Sequence, residues 1–346
     1  MERSITRVPP FVSRIEESSQ IAEARRNARQ LALDLDFGEQ AAERAAIIVT
    51  EACTNLLKHA NNGQIVVRQA PGPATDSRGY SDREPTLLEV LVLDRGPGIA
   101  DVEECFRDGH STTGTSGSGL GAITRLSSYT EIYSRPGHGT ALLARISVEG
   151  RATLAPENIA AVQVPKPGEE VCGDHWGMTG NQERRTFLLA DGLGHGPDAA
   201  RAAAAAVDTL YKYPDLPVTE MLAAVHDALR PTRGAAVAIA ELDTDRGTVN
   251  FGGLGNISAS IFIDGAPPRR MISTNGTAGM EARHIRAFTY PWSDGATLVL
   301  HSDGIGTHWS LADYPGLASH DPAIVAGVIY RDFSRGNDDA TIVVAR

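Results

Sequence analysis

The chain is poor in cysteine and aromatic residues and has no long apolar run. Its three cysteines, Cys53, Cys105 and Cys172, cannot build a disulfide framework, and none forms a Cys-x-x-Cys pair. That excludes a disulfide-stapled secreted scaffold and makes a reducing, cytoplasmic compartment the expectation. No apolar stretch approaches the roughly 20 residues of a membrane-spanning helix, and the first residues lack the apolar core of a signal peptide, so no membrane partner is expected. Aromatics are 5% of the 346 residues, so aliphatic side chains, alanine and glycine must fill the cores. Positive charge is outnumbered, with 32 Lys and Arg against 43 Asp and Glu, a net charge of −11. A surface of that sign repels a phosphate backbone, which excludes nucleic acid as a general partner, and it suits divalent cations.

With 42% hydrophobic and 22% charged residues, the balance is that of a soluble globular chain. The length suggests two domains. Apolar positions at helical spacing predict helices over 18–35 and 40–60, separated at Asp36-Phe-Gly38 with Gly38 as the stop signal. Strands are predicted over 64–68 and 87–93, with a loose Pro/Gly/Ser-rich insertion at 70–85. A Gly/Ser/Thr-rich loop over 109–121 opens a helix at about Leu120, and 129–134 with 140–148 read as a closing hairpin that turns at Pro136-Gly137. Residues 149–156 show no periodicity and read as the junction between domains. Beyond it strands are predicted over 159–164, 186–190, 235–242, 248–251, 259–263, 297–301 and 341–344, with helices over 198–211 and 218–229. Strands interrupted by helices at two points indicate an α/β (α+β) sandwich.

Two separate chemistries are written along this frame. In the first half, the second helix sets Glu51, Asn55 and His59 on one face. The Asn55 amide oxygen can hold Mg²⁺ against phosphates, and Glu51 can accept a proton from an attacking hydroxyl. Asp94-Arg-Gly96-Pro-Gly98 follows a strand, where a carboxylate can take the adenine amino group and glycines let the base approach. Gly117-Ser-Gly119-Leu120-Gly121 opens a helix whose amides can receive phosphate oxygens. Each motif alone is a common turn or polar stripe, and the order and spacing of the three carry the signal.

In the second half, Asp191-Gly192 follows a strand and precedes a tight turn, exposing the carboxylate and the Gly192 carbonyl. Cys172-Gly-Asp174, Ser302-Asp303-Gly304 and Asn337-Asp338-Asp339 each stand at a strand end. Carboxylate and carbonyl oxygens are the ligands that Mg²⁺ and Mn²⁺ prefer. Two such ions ~3.5–4 Å apart can activate a water for in-line attack on phosphorus. Any single Asp-Gly is most simply a β-turn; four acidic clusters in this order are not. Trp176 reads as packing, the cysteines as buried thiols, and His195 as either a phosphate contact or a residue packed in its turn. Arg184, Arg185 and Arg283 are phosphate-binding candidates by residue type alone.

The motifs Glu51-Ala-Cys-Thr-Asn-Leu-Leu-Lys-His-Ala60, Asp94-Arg-Gly-Pro-Gly98 and Ser111 to Gly121 resemble the nucleotide-binding boxes of the GHKL ATPase/kinase superfamily, and most closely the bacterial anti-sigma-factor-type serine kinases. The resemblance covers residues 1–148. It implies a two-layer α/β sandwich that binds ATP with Mg²⁺, with Glu51 as general base, Asn55 on the metal, Asp94, Gly96 and Gly98 at adenine, and Gly117, Gly119, Leu120 and Gly121 at phosphate. Cys172-Gly-Asp-His-Trp176, Leu189 to Gly196, Ser302-Asp-Gly304 and Asn337-Asp-Asp-Ala-Thr341 resemble the PPM-type metal-dependent serine/threonine phosphatases of the SpoIIE/RsbX branch, over residues 157–346. This implies an α/β-β/α four-layer sandwich holding two Mn²⁺ or Mg²⁺ ions on Asp174, Asp191, Gly192, Asp303 and Asp338. Asp191 and Asp303 then act in catalysis, and Asp339 either orients the site or replaces Asp338. Where many such phosphatases carry Ala-Gly-His-Asn-Pro, this chain has Gly253-Leu-Gly-Asn-Ile257. Together the resemblances imply a bifunctional partner-switching or stress-signalling regulator. Its phosphatase half would act on a STAS-domain anti-sigma antagonist or stressosome-type protein. Its ATP-binding half would phosphorylate the same class or act as a non-catalytic, ATP-dependent binding module. A sigma factor, a downstream phosphatase and a second copy of the chain are further partners within that expectation.

Overall fold

The computed structural model describes residues 9–60, 63–70, 87–102, 118–147, 158–181, 183–282 and 284–346. Gly117, Cys105, Arg283, the loop before Gly117, most of the insertion at 70–85 and the stretch at 149–156 lie outside the described residues. The chain divides into two compact units. The first takes its described residues from 1–72, 85–157 and 323–331, and the second from 158–322 and 332–346. Among the described residues no helix is long and apolar enough to cross a membrane.

In the first unit, α1 (Ser18–Asp34) and α2 (Gly38–His59) are joined by a tight corner. Asp36 adopts φ 60°, and its short polar side chain tolerates that left-handed conformation. Gly38, expected as the stop signal, instead begins α2 at φ 77°. A five-stranded antiparallel sheet follows the order β1-β2-β3-β5-β4, with β1 (Phe11–Ile15), β2 (Gly63–Gln69), β3 (Leu87–Asp94), β4 (Tyr129–Ser134) and β5 (Thr140–Ser147). Ile65, Val67, Leu88, Val90, Val92, Leu142, Ala144 and Ile146 form its helix-facing side. They close a core with the alanine-rich stripes of α1 and α2 and with Ile123 of α3 (Ser118–Leu126). Alternation along the strands turns Arg68, Glu89 and Arg145 to the opposite face, as neighbours in register. All three are buried. Glu89 takes Arg68 Nε at 2.8 Å on one oxygen and Arg145 Nε at 2.9 Å on the other. On the same face Gly327 lies so close that a Cβ there would come within 2.9 Å of Leu91.

The second unit pairs two antiparallel sheets. One runs β13-β10-β9-β8-β7 and the other β12-β11-β14-β15-β6. Strands β6 (Ile159–Val164), β7 (Asp174–Gly180), β8 (Arg184–Gly192), β9 (Ala235–Asp243), β10 (Thr248–Leu254), β11 (Ser258–Phe262), β12 (Arg269–Arg270), β13 (Phe288–Pro291), β14 (Thr297–His301) and β15 (Ala340–Ala345) supply them. Phe187, Leu189, Ala238, Ala240 and Phe251 from the first sheet meet Leu298, Leu300, Val343, Ala161 and Ile261 from the second in one core. Leu188, Ala190, Val237 and Ile239 face outward onto α4 (Pro197–Lys212) and α5 (Val218–Leu229). The alanine run of α4 lets that helix sit close on the sheet. The outer face of the second sheet, Val162, Val299, Ile342 and Val344, is buried as well. The sequence pattern does not predict β1, β7, the short edge strands β12 and β13, or the helix at 322–333. Strands β1 and β7 are short or glycine-bearing, and α6 (Pro322–Phe333) is buried all round from Ala323 to Arg331 and therefore shows no amphipathic period.

Candidate active sites

The nucleotide motifs of the first unit meet at one end of its sheet. Asp94 is the last residue of β3, and its carboxylate accepts the Gly96 amide at 2.7 Å. Burial pushes the Asp94 carboxyl up; the Gly96 amide, Arg331 and Thr140 oppose that shift. Gly98 is at φ 72°, and a side chain there would strike the Arg135 carbonyl, so this glycine is required by both conformation and space. The turn after it is tied to β4, because the Ile99 amide donates to Ser134 Oγ at 2.8 Å. Across the site, Glu51 and Asn55 are half-buried on one face of α2. A Cβ on Gly119 would lie 3.1 Å from Glu51 Oε2 and 3.3 Å from Asn55 Oδ1. The first turn of α3 therefore presents bare backbone to these two side chains, the opening that a phosphate chain needs. Gly121 follows in the same turn, while Leu120 packs partly into the helical core. His59 is exposed.

In the second unit the strands deliver acidic residues to one end of the sandwich. Asp174 begins β7, Asp191 nearly ends β8, and the two are directly opposed in register. By alternation both follow the inward face of Trp176 and Leu189. Ser302 follows β14 and donates its hydroxyl to Asp174 Oδ2 at 2.7 Å, while accepting the Thr341 amide at 3.0 Å. Gln163 of β6 donates to the Asp174 carbonyl at 2.5 Å. Asp339 is buried and takes the Lys166 amide on Oδ1 at 2.9 Å. A Cβ on Gly173 would lie 2.6 Å from Asp339 Oδ2, and one on Gly192 would strike the Ala199 carbonyl, so both glycines allow a close approach. Asp338 accepts the Asp339 amide and is half-buried, as is Asp303.

Electrostatics mark this cluster as incomplete. Burial pushes the Asp174 carboxyl well up, against the Ser302 hydrogen bond, and the nearby Asp339 and Asp303 push it further. Burial likewise raises Asp191, and Asp174, Asp303, Asp338 and Asp339 all add repulsion. Asp174 Oδ1 and Asp339 Oδ2 are buried oxygens without a hydrogen-bond partner. A buried, unpartnered carboxylate oxygen among like charges is a donor set suited to a hard cation. Among the described residues, no group of three His, Cys, Asp or Glu side chains is drawn together to hold an ion by itself. Mutual repulsion works against such closure when no cation is present, and hard-cation sites use carbonyls and water besides carboxylates.

Other candidates fall elsewhere. Arg184 pairs with Glu241, and Arg185 donates to the Arg346 carbonyl, both at the end of β8 remote from Asp191. His195 is exposed and pairs with Glu169 at 2.7 Å. Trp176 is core. Cys172 is buried, and burial drives its thiol far up. Asn256, in the segment that departs from the phosphatase pattern, donates to Asp303 Oδ2 at 2.7 Å. That contact and the Ser302–Asp174 bond escaped the sequence reading, although the position of Ser302 one residue before Asp303 was an available signal.

Comparison with known proteins matches residues 16–146 to the histidine kinase-like ATPase domain and residues 181–346 to the stage II sporulation protein E (SpoIIE) domain. Over 124 residues the chain is 32% identical to the serine/threonine-protein kinase RsbT of Bacillus subtilis (strain 168), covering 36% of this chain and 86% of RsbT. Over 158 residues it is 22% identical to the phosphoserine phosphatase RsbX of the same bacterium, covering 46% of this chain and 76% of RsbX. A solved structure concerning the bacterial stressosome, a modular system adapted to control secondary messenger signalling, shares 26% identity at a TM-score of 0.51 over 55% of this chain and 98% of that one. The chain therefore belongs to the RsbT family of histidine kinase-like ATPases through its first half and matches the SpoIIE domain in its second, a kinase-like and a phosphatase-like unit fused in one polypeptide.

Proposed function

We propose that this chain is a partner-switching regulator of stress signalling that sets the phosphorylation of a STAS-domain protein from both directions. The second unit removes phosphate from phosphoserine or phosphothreonine, and the first transfers it from Mg-ATP to the same class of protein. The observation that carries this reading is the set of carboxylates at one end of the sandwich, with Asp174 Oδ1 and Asp339 Oδ2 buried and unpartnered. Asp174, Asp191, the Gly192 carbonyl, Asp303 and Asp338 would hold two Mn²⁺ or Mg²⁺ ions. Such ions, when bound, supply a Lewis acid and an activated water. The chain supplies the rest: Ser302 fixes Asp174 from beneath, Asn256 orients Asp303, and Asp339 is anchored by the Lys166 amide.

In the first unit, Asp94 would hold the adenine edge, Asn55 would hold Mg²⁺, and the Gly119 amide would receive phosphate. Glu51 stands beside Asn55 and Gly119, where an acceptor hydroxyl would enter, and removes its proton. A unit that only bound ATP would not need that carboxylate there, which favours transfer over passive binding. The names of the two relatives, a serine/threonine kinase and a phosphoserine phosphatase, support one substrate class serving both units. The test uses the full chain with a phosphorylated STAS protein and Mn²⁺. Phosphate release is expected and should be abolished in Asp191→Ala and Asp303→Ala; unchanged release in both variants would sink the phosphatase reading. Labelled γ-phosphate should pass to the unphosphorylated partner and fail to do so in Glu51→Gln, with ATP binding retained.

A further inference from the structure

The acidic cluster poses a difficulty for its own substrate. A phosphate monoester dianion must approach Asp174, Asp191, Asp303, Asp338 and Asp339, and two divalent ions would leave those five carboxylates still net negative. Phosphoryl groups are best gripped by a guanidinium, whose planar fork matches two of their oxygens. The arginines named by residue type do not serve. Arg184 and Arg185 start β8, while Asp191 lies near its other end, a separation of roughly 20 Å at ~3.3 Å per residue. Arg233 lies beside the turn after Asp191, 3.2 Å from where a Gly194 Cβ would be, but Asp198 holds its guanidinium at 2.7 Å.

Arg335 differs in placement and in freedom. It lies on the segment between α6 and the Asp338 cluster, and that segment is laced to the Asp303 turn. The Gly306 amide donates to the Phe333 carbonyl at 2.8 Å, Ile305 and Ser334 form a bridge, and the Arg335 amide donates to the Gly304 carbonyl at 2.9 Å. Residue 335 is therefore presented one position beyond Asp303 on a fixed backbone. Its side chain is exposed and, among the described residues, has no ion-pair partner.

We propose that Arg335 is the side chain that grips the substrate phosphoryl group at the phosphatase site. Held beside Asp303 and free of a local carboxylate partner, it meets phosphate oxygens as they arrive and offsets the field that would repel them. Lysine would supply charge there but not the two-point fit. The assignment rests on the phosphatase reading of the same site.

The test compares wild type, Arg335→Ala, Arg335→Lys and Arg233→Ala in the full chain with Mn²⁺. Hydrolysis of p-nitrophenyl phosphate is one readout, and calorimetric binding of inorganic phosphate to the metal-loaded protein is the other. Arg335→Ala should raise KM and weaken phosphate binding roughly 10- to 100-fold, the scale of a charged hydrogen bond. kcat should fall less, thermal stability should hold, and Mn²⁺ affinity should not weaken. Arg335→Lys should recover part of the loss, and Arg233→Ala should leave phosphate binding unchanged. Unchanged KM and phosphate affinity in Arg335→Ala would overturn the proposal, as would the loss appearing in Arg233→Ala instead. A wild type that hydrolyses nothing with Mn²⁺ defeats the phosphatase reading, and phosphate calorimetry still decides the role of Arg335.

Discussion

Each unit buries carboxylates, and the two sets are handled in opposite ways. In the first unit Glu89 is fully buried between Arg68 and Arg145, each on a neighbouring strand. Burial works to raise its carboxyl, but the two guanidinium groups outweigh burial and hold it down at about 2. In the second unit Asp174 is buried and Asp191 half-buried among other carboxylates, and both are pushed up. The first set is neutralised within the fold and acts as structure. The second keeps unpartnered oxygens and acts as a site. Burial of charge does not by itself mark function; burial of charge without its partner does.

The comparison breaks most sharply at single substitutions of opposite sign. Glu89→Gln leaves two buried guanidinium groups without their counter-charge and should cost about 3–5 kcal/mol in chemical denaturation of the first unit. Replacing Arg68, Glu89 and Arg145 together by apolar residues of similar volume should cost far less. In metal-free protein, Asp191→Asn should do the reverse and stabilise the second unit by roughly 0.5–2 kcal/mol while removing phosphate release, the usual trade at a strained site. A destabilised metal-free Asp191→Asn would show that the cluster is neutralised in some other way.

The two sets should also slope oppositely with pH. The Glu89 carboxyl is depressed in the folded state, so its contribution is present above the ordinary carboxylate range and lost as pH falls toward about 2. Asp174 and Asp191 are raised in the folded state, which binds excess protons. Their contribution is present below the ordinary value near ~4 and is lost as pH rises from there through neutral. Melting curves of the metal-free chain should show the first unit weakening toward acid and the second toward base. Mn²⁺ should cancel the second slope, because the ion binds the deprotonated form, and its affinity should climb with pH. An Mn²⁺ affinity that stays flat from pH 5 to 8 would contradict the assignment of these carboxylates as ligands.

The sequence carried the strand-end positions of Asp94, Asp191 and Asp303 because each is punctuated by glycine after an apolar run. It also carried α1, α2, α4 and α5, whose stripes repeat at helical spacing. It did not carry β7, where Asp-His-Trp-Gly-Met-Thr-Gly offers no clean alternation, although that strand pairs Asp174 with Asp191. It did not carry α6, apolar on every face, nor the Arg68–Glu89–Arg145 trio. Charges within a strand look like a solvated face until register puts opposite signs side by side. Arg335 was illegible for a related reason. Its value comes from the backbone ladder to the Asp303 turn, a pairing with no local signature. Motifs that are punctuated locally can be read from sequence, and partners chosen by register cannot.

The smallest effect sits under the site. Ser302 joins the two sheets by donating to Asp174 and accepting from Thr341. Ser302→Ala would leave the buried Thr341 amide unpaired and remove a side-chain bond to Asp174 Oδ2, so a stability loss of about 1–3 kcal/mol is expected. Because Ser302 orients Asp174 without touching substrate, it is a positioning residue. Its loss should weaken Mn²⁺ binding roughly 10- to 100-fold and leave kcat at saturating metal close to wild type. Ser302→Thr, which keeps the hydroxyl, should recover metal affinity. A kcat that stays low in Ser302→Ala under saturating Mn²⁺ would mean that the hydroxyl acts on the reaction and not on the placement of Asp174. Asp174 would then belong with the neutralised set of the first unit rather than with the open one.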